Sequence, residues 1–149
     1  MGGGGYGGSA EPTVDDYTMA VHLIHREKYA EAIPYLAAAA QQRPHSADVF
    51  NYLGYTHRML GKYPASMAFY QKALEIDPDH KGAHEYLGEL YLMLNDVPSA
   101  NLQLAELTRL CPDSCDEKDV LTKAISDYQA KTSAAPAQAA TPAPASPTQ

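Results

Sequence analysis

Basic residues are scarce in this chain. Eleven Lys plus Arg stand against 18 Asp plus Glu in 149 residues, a net charge of −7. No basic stripe is there to neutralise phosphates, so a nucleic-acid partner is not expected. Long apolar runs are missing too. Polar residues interrupt every Ala- and Leu-rich segment, and no stretch approaches the roughly 18 residues of a membrane span. No Gly-rich phosphate loop opens a helix, and there is no nucleophile elbow. Asp77, Asp79, Glu85 and Glu89 read as a solvated face rather than a catalytic set. The chain is therefore not expected to be an enzyme, and no cofactor is implied.

Charge is absent from both ends. Met1–Gly8 is almost pure glycine, and Thr132–Gln149 holds only Ala, Pro, Ser, Thr and Gln. Every charged residue lies between Glu11 and Lys131. Neither end carries enough apolar surface to offset the entropy of ordering it. The expectation is a Gly-rich disordered arm over 1–12, one folded domain over 13–131, and a disordered Ala/Pro-rich tail over 132–149.

What is present is a period. Pro44, Pro78 and Pro112 stand 34 residues apart. So do Ala20, Gly54 and Gly88, then Ala32, Ser66 and Ala100, then Tyr29, Tyr63 and Val97. Self-similarity at such a spacing marks a helical repeat array. The small residues suit places where two helices of one repeat cross closely. The prolines cannot continue a helix and mark the stop of each second helix. First helices are predicted at about Val14–Arg26, Ala47–Leu60 and Lys81–Leu94, and second helices at about Tyr29–Gln42, Tyr63–Ile76 and Val97–Leu110, with ends set to within ~2–4 residues. Pro64 and Pro98 fall in a first turn, where proline is tolerated. Pro34 sits a full turn in and is expected to bend its helix or delay its start. A seventh helix is predicted over about Asp116–Ala130. Its apolar stripe (Val120, Leu121, Ala124, Ile125, Tyr128) would cover the end of the array.

The middle copy carries Phe50, Leu53, Gly54, Gly61, Tyr63, Tyr70, Ala73 and Pro78, and the chain resembles the tetratricopeptide-repeat (TPR) family on these residues. The resemblance implies an all-α, right-handed array of three TPR helix pairs plus a C-terminal capping helix. It also implies a concave groove lined by first helices. Carried over residue by residue, the lining is Tyr17, Val21, Ile24 and His25 from the first copy. The second copy supplies Asp48, Asn51, Tyr52, Tyr55, Arg58 and Met59, and the third Glu85, Tyr86, Glu89, Leu92 and Met93. Tyr supplies rigid contact surface with a hydroxyl, and Met adapts to irregular partners. The expected function is a scaffold or adaptor holding a peptide or helix of a partner protein. A matching segment would offer apolar anchors and some Lys or Arg. Two alternatives stand beside it: a self-assembling, homo-oligomeric structural protein using its tails or groove, and a carrier of a small ligand or metal. The carboxylate-clamp positions hold Tyr17, Val21, Tyr52, Gly82 and Tyr86, none basic, so the clamp for chaperone tails is absent.

Cys111 and Cys115 are the only cysteines. They straddle Pro112-Asp113-Ser114, at the junction of the third repeat and the cap. A disulfide there would staple the cap to the array. The other readings are a metal pair short of ligands, a redox dithiol, or two unpaired small side chains. His22 with His25, and His80 with His84, offer helical spacings for two ligands but no third. His84 holds the place of Phe50 one repeat earlier and is expected in a core, with His22 and His80 solvated. No metal site is assigned. The chain also resembles short exported bacterial TPR proteins that end in a Leu-Cys-Pro…Cys segment, here Leu110-Cys111-Pro112 and Cys115. Met1 is followed by glycines rather than a signal sequence. The readings of location are a periplasmic or otherwise exported chain with its signal removed, or a cytoplasmic protein.

Overall fold

The computed structural model describes residues 13–134. The Gly-rich arm over 1–12 and the tail from 135 onward, both expected to be disordered, lie outside the described residues. Seven helices and no strand occur among the described residues: α1 Asp16–His25, α2 Tyr29–Gln42, α3 Ala47–Met59, α4 Tyr63–Ile76, α5 Lys81–Met93, α6 Val97–Leu110 and α7 Asp116–Ala134.

Local chemistry sets the ends. Asp15 accepts from the Thr18 N–H at 2.8 Å and caps α1, which begins two residues later than Val14. Ser46 caps α3 and the His80 ring caps α5 in the same way, accepting from the N–H of Val49 and of Ala83. Each second helix stops two residues before its proline. The C-cap residues Arg43, Asp77 and Cys111 take φ of −130°, −135° and −135°, the extended backbone that a following proline region favours. Of the two effects expected of Pro34, a delayed start does not occur: Pro34 lies inside α2, yet α2 starts at Tyr29. The carbonyl that loses its helical partner belongs to Ala30, which is exposed to water.

The helices pair as α1·α2, α3·α4 and α5·α6, and each pair leans on the next. First helices also meet directly, α1 with α3, α3 with α5 and α5 with α7. At the fourth residue of each second helix, Ala32, Ser66 and Ala100 are fully buried. Ser66 Oγ donates to the Gly54 carbonyl at 2.7 Å, which fixes how closely α3 and α4 approach. A Cβ on Gly54 would lie 2.5 Å from the Tyr70 ring of its own repeat. Gly88 differs from expectation: its Cβ would meet Leu121 of α7 at 2.6 Å, not a side chain of α6.

Leu121 explains why. Leu53, Leu87 and Leu121 stand one period apart and are all buried. The capping helix thus takes the place of a fourth first helix. Its burial of Leu121 and Ile125 against Leu92, Ala100 and Leu107 closes the last core, at about 2 kcal/mol for each large apolar side chain. Of the expected stripe, Val120 is the exception and faces solvent. The helix also runs on to Ala134, beyond the expected end at 130 and into the stretch read as tail.

Candidate functional site

The structure pairs the sulfurs of Cys111 and Cys115. Cys111 is the C-cap of α6, and the Cys115 carbonyl accepts the first helical bond of α7 from Asp119 at 3.0 Å. Lys118 Nζ reaches back to the Pro112 carbonyl at 3.1 Å. The bridge therefore clips the end of the array to its cap.

His80 and His84 are hydrogen-bonded within the protein, while His22 and His25 are exposed on α1. His84 is buried, as expected, with Nδ1 2.7 Å from Gln103 Oε1 and Nε2 2.7 Å from the Pro78 carbonyl. His80 is not solvated, as had been expected. Its Nδ1 caps α5 and its Nε2 lies 2.6 Å from Asp48 Oδ1. A helix N-terminus needs an acceptor, and this ring supplies it. Among the described residues no group of three or more His, Cys, Asp or Glu is placed to hold a metal.

The expected lining residues divide into two cavities along the layer of first helices. The first, about 270 Å³, brings together Tyr52, Tyr55, Tyr86 and His25 with Ile24. It adds Glu27 and Tyr29, which the sequence reading did not include. The rings meet at several angles. Tyr29 and Tyr55 are 5.8 Å apart at 74°, and Tyr55 and Tyr86 are 5.0 Å apart at 35°. Burial, with a hydrogen bond to Tyr29, pushes the Tyr55 hydroxyl up to about 12. Tyr17 stacks edge-on to Tyr52 at 6.0 Å, under the Arg43 guanidinium.

The second cavity, about 360 Å³, contains Arg58, Glu89 and Met93 with Leu92. Its other wall is α7: Ala124, Asp127, Tyr128 and Lys131. Only the resemblance-based lining from first helices had been considered, so these four were missed. The signal was available, because Leu121 continues the register of Leu53 and Leu87. Arg58 forms a buried ion pair with Glu89. Its guanidinium also lies 5.5 Å from the Tyr55 centroid and 5.4 Å from that of Tyr86. Arg58 thus joins the two cavities.

Six expected residues line neither cavity, among them Asp48, which is exposed on α3 and bonded to His80. Tyr17 and Val21 are half-buried along α1, and Met59 is exposed at the end of α3. Asn51 is buried between α3 and the start of α5, beside Gly82, and its Oδ1 has no partner. Glu85 sits beside Glu89, facing the first turn of α7. Burial first, then Glu89 and Glu117, pushes its carboxyl up to about 7.

Models of the tetratricopeptide repeat match residues 17–81 and again residues 57–116. With the fold above, the chain belongs to the tetratricopeptide-repeat family. Its structure is similar to the type III secretion translocator chaperone SycD of Yersinia enterocolitica, with a TM-score of 0.69 at 17% identity over 78% of this chain and 91% of that one. SycD in complex with a peptide of the translocator YopD matches at 0.68. PcrH in complex with the chaperone-binding region of PopD matches at 0.66, with 19% identity over 79% of this chain and 89% of that one. At these identities the likeness is one of fold. In sequence, the chain is 26% identical over 102 residues to the transcription factor tau 131 kDa subunit of Saccharomyces cerevisiae, and spans 10% of its length. No helix among the described residues is long and apolar enough to cross a membrane.

Proposed function

We propose that the protein is an adaptor that holds a segment of a partner protein along the groove formed by α1, α3, α5 and α7. The observation that carries this reading is the line of half-buried tyrosines crossing three first helices. Tyr17 and Tyr52, then Tyr29, Tyr55 and Tyr86, are in ring contact, and all but Tyr17 border the first cavity. Aromatic side chains left half-exposed in a continuous line have surface to give to a partner. The peptide complexes of SycD and PcrH, which share this fold, support the same use of it. The Cys111–Cys115 bridge supports an oxidising, exported location.

The test is affinity capture of a partner from native extract, then binding measurements on variants. Removing a buried interface aromatic at a hot spot costs about 2 kcal/mol or more. Tyr55→Ala should therefore weaken binding about thirtyfold with helicity kept. Lys72→Glu, on the exposed face of α4 beside Glu75, should bind as the parent does. If Tyr55→Ala and Tyr86→Ala both bind as tightly as the parent, the groove is not the binding surface.

A further inference from the structure

The first cavity has a more specific chemistry than a surface for apolar anchors. Tyr29, Tyr52, Tyr55 and Tyr86 all line it, and their rings lie in different planes around one space. The face of an aromatic ring carries negative electrostatic potential, and several rings around one point form a site for an organic cation. The protein itself shows that these rings accept one. The guanidinium of Arg58 rests within 5.5 Å of the Tyr55 and Tyr86 centroids.

The surrounding charge has the same sense. Glu27 lines the cavity directly. Asp48 acts on the Tyr52 hydroxyl and Glu85 on that of Tyr86, adding to what burial does to each, while Glu89 and Arg58 act on Tyr86 in opposite directions. Arg26 and Lys28 flank Glu27 in sequence, but neither lines the cavity, and Lys28 pairs with Glu31 at 3.5 Å. Arg58 is neutralised by Glu89. An anion would meet net repulsion here, and a purely apolar group would leave the tyrosine hydroxyls unmatched.

Glu27 adds an independent point. It has φ of +58°, in the left-handed region. The same turn position, one and two periods on, is Gly61 at +74° and Asn95 at +59°. Glycine and asparagine tolerate this backbone, whereas an ordinary side chain is strained there. The first repeat therefore keeps a glutamate at the one turn position where it costs stability, and that residue is part of the cavity lining. Strain of this kind collects at functional sites.

We propose that the cavity of Tyr29, Tyr52, Tyr55 and Tyr86, with Glu27 in its lining, is a cage for a lysine or arginine side chain carried by the segment in the groove. This rests on the adaptor reading for the source of the side chain, but the cage chemistry can be tested without any partner. The probes are Nα-acetyl-lysine methylamide, Nα-acetyl-arginine methylamide and the neutral Nα-acetyl-norleucine methylamide. Titrated into the full chain with ring-labelled tyrosine, the two cationic probes should move the signals of the four cage tyrosines, while norleucine should not. Replacing one ring, as in Tyr29→Leu, should weaken the cationic probes about two- to fivefold. Glu27→Gly separates site from scaffold. It should raise the melting temperature by relieving the left-handed strain and at the same time weaken probe binding. A purely structural Glu27 would not weaken it. Equal shifts from norleucine would make the cavity an apolar pocket and overturn the proposal, as would no shift from either cation. Cationic shifts in the parent chain, alongside tight partner binding by Tyr55→Ala, would instead overturn the groove reading and leave the cage.

Discussion

The two cavities occupy equivalent places in the array and differ in almost everything else. Each lies between neighbouring first helices, one period apart. The position held by Ile24 at the first is held by Arg58 and Leu92 at the second. Tyr55 of the first corresponds to Glu89 of the second, 34 residues on. The first is thus an aromatic enclosure built wholly from repeat helices and their turn. The second has an ion pair on its floor, apolar walls, and a side supplied by the capping helix. The repeat fixes where a cavity falls, and the residue chosen at each register position fixes what it can hold. A family fold by itself therefore says little about the ligand.

The sharpest way to break this contrast is at Arg58. It stands where the register otherwise places an apolar side chain, and its charge is compensated by Glu89 and two ring faces, with the Tyr70 hydroxyl beside it. Arg58→Ala would leave Glu89 unpaired and the Tyr70 hydroxyl, already without a partner, facing a void. Unfolding in urea should show a loss of about 3 kcal/mol or more. The double change Arg58→Leu with Glu89→Leu, which copies the chemistry of Ile24, should recover most of that loss. A harmless Arg58→Ala would mean the floor of the second cavity is not a buried pair.

A smaller effect should separate the two cavities by location. Only the second is lined by α7, and Cys115 immediately precedes that helix. Replacing Cys111 and Cys115 by Ser should cost at most about 2 kcal/mol, given so short a loop. Hydrogen exchange should rise in α7 and around Leu92 and Met93, while α1 and the tyrosine enclosure stay protected. Uniform loosening of the array would show that the bridge acts on the whole fold. Thiol alkylation of protein taken from its native compartment should find no free thiol.

The smallest effect lies between the cavities, at Glu85. Its carboxyl is raised from an ordinary value to about 7, so the folded state holds the proton more tightly than the unfolded chain. Stability should then be greater near pH 5 and fall as pH rises through 7. The change is on the order of 1 kcal/mol, because the side chain is only half buried. Glu85→Gln should flatten the profile between pH 5 and 8 and raise stability at pH 8. An unchanged slope would assign the pH dependence to other groups.

Much of this molecule follows from the sequence alone. The 34-residue spacing, the prolines two residues past each second helix and the tyrosine or valine opening it set the bounds of α2, α4 and α6 to the residue. Those signals are local: proline geometry, capping and helical periodicity act within one or two turns. The small residues at Ala32, Ser66 and Ala100 announced close crossings for the same reason. The tertiary structure decided what lies opposite each position. Gly88 makes room for Leu121 rather than its own repeat, Asn51 is buried rather than open to the groove, and the His80 ring is tied to Asp48 thirty-two residues away. Glu27 and Tyr29 complete an enclosure with Tyr52, Tyr55 and Tyr86 only because α1, α3 and α5 stack side by side. Register assigns a residue to a face of its own helix, but which side chains share a space depends on how far neighbouring helices are shifted and rotated. That is set by packing across the whole array.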